Sequence, residues 1–175
     1  MMEIVLYPDP RLRAKNAPIT SFDDELKQLA RGMLDLMYET KGVGLAAPQV
    51  GVNRRLMVFN AEGDPEKPEF ETILCNPRVV RKAKSKVSAE EGCLSFPGIY
   101  AQVERPEDIV ILAQDVNGDE FEMALDDWAA RVFQHEFDHL EGVLFIDRFT
   151  PSDKMRLKPV LKGLEFDYKE KIAGT

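Results

Sequence analysis

The chain has 175 residues, 44% of them hydrophobic and 31% charged, a balance that fits one folded domain spanning 1–175 with room for a real core. Its formal net charge of −8 argues against a dedicated nucleic-acid surface and against a general affinity for anionic membranes. No apolar run approaches the roughly 20 residues needed to cross a bilayer, and two cysteines, Cys75 and Cys93, make no disulfide framework, so a reducing compartment fits best.

Residues 1–20 contain three prolines and read as an irregular arm, with Leu12 as its anchor. The start has no signal-peptide pattern, and a removed transit peptide would leave no trace in it. A first helix follows. Ser21-x-x-Asp24 resembles a capping box, and Leu26, Leu29, Ala30, Met33, Leu36 and Met37 recur at helical spacing. Gly42 is the expected stop.

Residues 42–51, Gly-Val-Gly-Leu-Ala-Ala-Pro-Gln-Val-Gly, are glycine-rich but do not match G-x-G-x-x-G, and no strand precedes them, so a dinucleotide site is rejected. They are either a tight helix-to-strand loop or backbone exposed for a ligand, with Gln49 held among small residues. Strands are expected at 56–59 and 73–77, the second ended or bulged at Pro77. A surface loop at 60–70 separates them. Cys75 reads as an inert buried thiol. Arg81, Lys82, Lys84 and Lys86 read as a solvated strand edge or turn. In residues 90–98 a second loop of interest sets Cys93 among polar and small residues, a setting that suits a thiolate. Strands at 101–104, 109–116 and 120–125 follow, the last two joined by Asn117-Gly118, which predicts a type I′ hairpin.

The next helix, capped by Asp126 or Asp127 and ended by Gly142, carries Gln134-His135-Glu136-Phe137-Asp138-His139, an H-E-x-x-H sequence holding both histidines of the chain. Residues four apart on a helix share a face, so two imidazoles can hold one divalent ion, with the neighbouring Glu as base for a water on it. Trp128 and Val132 fall on the side of the histidines, with Phe133, Phe137 and Leu140 across from them, the pattern of a buried helix. A C-terminal helix is expected from Ser152, kinked or broken at Pro159.

The third ligand is open among three readings. A third histidine is absent, since Phe145 stands where the longer zincin motif requires one. Glu165 would make a small glutamate-ligand protease. Cys93 would make a His₂Cys site with an open position, the form of a catalytic centre. Cys75 joining Cys93 would instead fill the site and make a metal-stabilised binding module.

Three stretches taken together, Gly42-Val43-Gly44-Leu45-Ala46-Ala47-Pro48-Gln49, Glu91-Gly92-Cys93-Leu94-Ser95 and Gln134-His135-Glu136-Phe137-Asp138-His139, resemble peptide deformylase in order and separation. The continuation Phe96-Pro97-Gly98-Ile99-Tyr100-Ala101 looks most like the plastid and cyanobacterial branch. The resemblance implies an α+β fold, with antiparallel sheets around the H-E-x-x-H helix and a helix towards each terminus. It implies hydrolysis of the formyl group from N-formyl-Met nascent peptides, with transient ribosome association, in a bacterial cytoplasm or a plastid stroma. Cys93, His135 and His139 would bind one divalent metal, natively Fe²⁺, with Zn²⁺, Ni²⁺ or Co²⁺ as substitutes. Glu136 would move the proton, and Gln49 with the Leu94 backbone N–H would steady the oxyanion. Val43, Gly44 and Gly92 would pair with the peptide backbone. Val43, Trp128 and Val132 are candidates for the methionine pocket, the alternative being plain core packing. The chain departs from many relatives at Tyr100, where they carry Arg, and at Arg131, whose stem is expected to line the pocket while its charge reaches water.

Overall fold

The computed structural model describes residues 1–174. An irregular arm with one 3₁₀ turn (Pro10–Leu12) leads to α1 (Asp24–Glu39). Then come β1 (Gly44–Ala46), β2 (Leu56–Phe59), β3 (Thr72–Lys82), β4 (Lys86–Cys93), β5 (Phe96–Pro106), β6 (Asp108–Gln114) and β7 (Glu120–Asp126). Helices α2 (Asp127–Leu140) and α3 (Pro151–Ala173) complete the chain. This is the expected α+β class, built on two antiparallel sheets. One has five strands in the order β1-β2-β3-β6-β7; the other is the β4–β5 hairpin alone. Among the described residues no helix is long and apolar enough to cross a membrane.

Helix α1 begins two residues later than the Ser21 signal implied. Asp23 is the N-cap, accepting a hydrogen bond from the Leu26 amide, and Asp24 and Glu25 complement the positive end of the helix. Leu26, Ala30, Met33, Leu34 and Met37 form its buried stripe. The stop is also displaced. Lys41, at φ 60°, is the left-handed residue, and Gly42 comes after it, donating from its amide to the Met37 carbonyl at 2.8 Å. Lys41 donates to Tyr38, which completes a Schellman ending.

The stretch read as a tight loop contains β1, an edge strand paired with β2, followed by a 3₁₀ turn at Ala47–Val50. Strand β3 runs on past Pro77 through a bulge between Cys75 and Arg78. There Asn76, at φ 51°, turns its amide to Ile19 and Gln114 and ties the N-terminal arm to the sheet. The β6–β7 hairpin is present, but its turn is not type I′. Gly118 has a positive φ and Asn117 does not, and Asp115 accepts from the Gly118 amide while its own amide donates to Asp119. That is the three-residue connection, a type I turn closed by glycine in the left-handed region.

Helix α2 lies between the two sheets. Ala130, Val132, Phe133 and Leu140 pack on Met57, Phe59, Leu74, Ile109 and Ile111 of the five-stranded sheet. On its other side His135 meets the Phe145 ring edge-on at 5.5 Å, and Phe145 belongs to the cluster that holds Phe96, Ile99 and Val103 of β5. Asp126 occupies the N-cap position, although its side chain makes no capping bond, and Gly142 at φ 72° closes the C-terminus as expected. One member of the projected buried helix departs: Trp128 is 48% exposed. Helix α3 starts at Pro151, capped by Thr150, and runs without interruption through Pro159.

Lys41 supplies a test of this reading of α1. A side chain in the left-handed region costs about 1–2 kcal/mol, and glycine gives back part of that as extra freedom in the unfolded chain. Lys41→Gly is expected to stabilise the protein by about 0.5–1 kcal/mol, raising Tm by roughly 1–4 °C. An unchanged or lower Tm in a calorimetric scan would contradict the assignment.

Candidate metal centre and active-site cleft

Strand β4 ends at Cys93, and a tight turn through Leu94 and Ser95 leads into β5. The segment read as a loop is thus the tip of the hairpin, and it presents the thiol to one face of α2. His135 and His139 stand on that face, one turn apart. The ligand atoms of Cys93, His135 and His139 lie within 4.8 Å of one another, with Cys93 Sγ 3.4 Å from His139 Nε2. Cys75 is elsewhere, buried in β3 against α1, and burial pushes its thiol up to about 11. Glu165 sits on α3 and accepts a hydrogen bond from the Tyr7 hydroxyl at 2.7 Å, so it does not join the histidines. Both alternatives for the third ligand fall away.

The donor set fits a divalent metal on two observations. His135 Nδ1 is 2.9 Å from Glu91 Oε1, which fixes the ring and leaves Nε2 for an ion, the carboxylate–imidazole arrangement typical of metal ligands. Beside it, Glu136 Oε2 is buried with no hydrogen-bond partner in the protein, as expected of a group that meets something not of this chain.

The electrostatics sort the carboxylates. Burial pushes the Glu136 carboxyl up to about 7, where a group can both accept and release a proton near neutrality. Burial acts on Glu91 in the same direction, but hydrogen bonds from Arg105 and His135 outweigh it and hold Glu91 at about 2. His139 is held well below the ordinary imidazole value by burial and by the nearby His135 and Arg105, which favours the neutral ring with one nitrogen lone pair available. Burial works against charge on His135 too, yet Cys93 and Glu91 raise its pKa well above the ordinary value.

A cleft of about 440 Å³ opens over this group. Val43, Gly44, Gly92, Leu94, Trp128 and Val132, all named from the sequence, line it together with Cys93, His135 and Glu136. Gln49 is buried behind Cys93. Its Oε1 accepts from the Ala46 amide, which turns Nε2 towards Ser95 Oγ at 3.3 Å and Cys93 Sγ at 3.6 Å. Glycine at 44 is a packing requirement, because a Cβ there would lie 2.9 Å from Glu136 Cγ. Trp128 stands at the mouth, its indole N–H donating to the Ala61 carbonyl at 3.2 Å.

Two features differ from the sequence reading. The Arg131 charge does not reach water: its side chain is 9% exposed, and the guanidinium turns inward to Glu91 and to two strand carbonyls. The buried charge network was missed altogether. Arg105 clamps Glu91 through Nε at 2.6 Å and Nη2 at 2.9 Å, and reaches Asp138 through Nη1 at 2.9 Å. Arg148 closes on Asp138 from outside. The available signal was the position of Glu91, two residues before Cys93 on what proves to be a strand.

This arrangement is a cluster of three potential metal ligands at the floor of a cleft, with a buried carboxyl beside it. The family profile described as Polypeptide deformylase matches residues 1–155. The chain is 51% identical over 170 residues to peptide deformylase 1B, chloroplastic/mitochondrial, of Arabidopsis thaliana, covering 97% of this chain and 62% of that relative. It is 42% identical over 164 residues to the peptide deformylase of Thermotoga maritima, covering 94% and 96% of the two. Among solved structures, plant peptide deformylase PDF1B superposes with a TM-score of 0.95 at 50% identity, over 97% of this chain and 92% of that one. The peptide deformylase of Plasmodium falciparum gives 0.94 at 48% identity, over 96% and 98%. The chain belongs to the peptide deformylase family. It spans about 62% of the length of the plant relative.

Replacing Glu91 tests the network directly. Glu91→Ala leaves Arg131 without a carboxylate and Arg105 with only Asp138, so a loss of about 3–5 kcal/mol is expected in urea unfolding. Metal affinity by chelator competition should fall about 10–100-fold, because His135 loses its orienting partner. Wild-type affinity in the variant would remove Glu91 from the metal site.

Proposed function

We propose that this chain is a metal-dependent hydrolase that removes the N-formyl group from the terminal formyl-methionine of nascent polypeptides, releasing formate. The observation that carries this reading is the convergence of the Cys93, His135 and His139 ligand atoms within 4.8 Å, beside the partnerless carboxyl of Glu136 at the floor of the cleft. Cys93, His135 and His139 are the metal ligands in this reading, with Fe²⁺ as the native ion and Zn²⁺, Ni²⁺ or Co²⁺ as substitutes. Such an ion supplies a Lewis acid for the formyl carbonyl and makes hydroxide available from water near neutral pH.

The rest is done by side chains and backbone. Glu136 takes a proton as the new C–O bond forms, and returns it to the amine as the formyl C–N bond breaks. The products are formate and a free methionyl amino group. Gln49 Nε2, fixed through Ala46, and the Leu94 amide at the hairpin tip stabilise the negative oxygen in between. Strand β1 is at the edge of its sheet, so Val43 and Gly44 have a side open for an added strand, with Gly92 across the cleft. Backbone pairing of that kind selects an extended chain end without reading its sequence. Val43, Val132 and Trp128 form the apolar wall for methionine. A nascent-chain substrate implies transient work beside the ribosome, in the bacterial cytoplasm or plastid stroma.

Formate release from formyl-Met-Ala-Ser by anaerobic, Fe²⁺-loaded protein, with a chelated control, tests the reaction. Glu136→Ala should keep its metal and lose roughly 10²–10⁴ in kcat; normal turnover would end the proton-transfer assignment. Iron as the native ion predicts activity that decays in air and persists longer after nickel substitution. Indifference to oxygen would favour zinc.

A further inference from the structure

The three candidate ligands come from two bodies. Cys93 is on the β4–β5 hairpin, His135 and His139 are on α2, and the hairpin shares no ladder with the five-stranded sheet on which α2 packs. Side chains that cross from the hairpin to α2 therefore help to set their separation. Arg131 lies one turn before His135 on α2. Its Nη1 donates to Glu91 Oε2 at 2.7 Å and to the Val103 carbonyl at 2.8 Å, and its Nη2 donates to the Val87 carbonyl at 2.7 Å. One guanidinium thus grips β4 at two points and β5 at a third. The planar fork of arginine reaches all three at once, which a single ammonium cannot do.

Neutralising Glu91 does not require Arg131. Arg105 already holds both Glu91 oxygens, and His135 adds a further bond. Two of the three Arg131 bonds go to main-chain carbonyls, which fits a clamp on the hairpin better than a counter-ion. We propose that Arg131 is a positioning residue for the metal centre: it locks the Cys93 hairpin to α2 and holds the thiol at ligating distance from the two imidazoles. This rests on the ligand assignment above.

Arg131→Lys and Arg131→Leu test it, using stripped protein reloaded with Co²⁺. Chelator competition gives affinity. The thiolate-to-cobalt charge-transfer absorption reports the Cys93 bond, and the d–d bands report the site as a whole. Arg131→Leu should bind Co²⁺ about 10–100-fold more weakly, with the charge-transfer band weakened relative to the d–d bands. Arg131→Lys, restoring one donor point, should fall between. Wild-type affinity and band ratio in both variants, whatever their stability to urea, would overturn the proposal. If Arg131→Leu does not fold, a wild-type result from Arg131→Lys overturns it alone. Failure of the functional reading would show separately, as no formate from the loaded wild-type protein while these binding differences persist.

Discussion

The carboxylate of Glu91 is the interaction on which the site depends. Its side chain is 4% exposed, and burying a charge so fully costs several kcal/mol unless every lone pair is engaged. Here each oxygen accepts twice: Oε1 from Arg105 and His135, Oε2 from Arg105 and Arg131. Asp138 repeats the pattern one layer out, between Arg105 and Arg148. The network runs from the half-exposed Arg148 inward to the His135 ring. It holds that ring in one orientation, leaving its Nε2 directed to the place where Cys93 and His139 meet.

Around that fixed centre the cleft is shaped by what small residues leave out. Gly44 lets β1 lie against Glu136, and Gly92 lets the Tyr100 ring approach β4, where a Cβ would come within 2.6 Å of it. Tyr100 stays 57% exposed at the rim. An aromatic ring thus stands at the rim of the cleft, with the Arg156 guanidinium bonded to the Tyr100 carbonyl beside it.

The elements that were legible in the sequence are those whose signals are local. Helix α1 showed in its apolar spacing and acidic first turn, β2 in its apolar run, and α2 in a pattern apolar on most sides. The three motif stretches identified the candidate ligands, Glu136 and the cleft-lining residues. Local signals erred where two neighbouring residues offered the same chemistry. Asp23 caps α1 where Ser21 had the motif spacing, and Lys41 takes the left-handed position beside a glycine. Asn117-Gly118 carries the favoured type I′ pair, yet the main-chain bond from Asp115 to Asp119 leaves three residues to connect, and that length selects the other turn. At Pro159 the helix does not break but continues through the proline.

By itself, the sequence determined which atoms are available for the chemistry: two imidazoles and a carboxyl at one-turn spacing, a thiol among small residues, and an amide side chain in a glycine-rich stretch. Residue type and spacing are covalent facts, and helix geometry turns the H-E-x-x-H spacing into a shared face without outside help. The removal of Cys75 and Glu165 from the site, and where the Arg131 charge goes, were decided only by tertiary structure. Cys75 and Glu165 carry suitable donor atoms, and only the packing of β3 against α1 and of α3 against the N-terminal arm takes them out of reach. Arg131 turns inward because the hairpin brings Glu91 and two strand carbonyls to it from positions 28 to 44 residues distant in the chain. No local pattern encodes contacts at that separation.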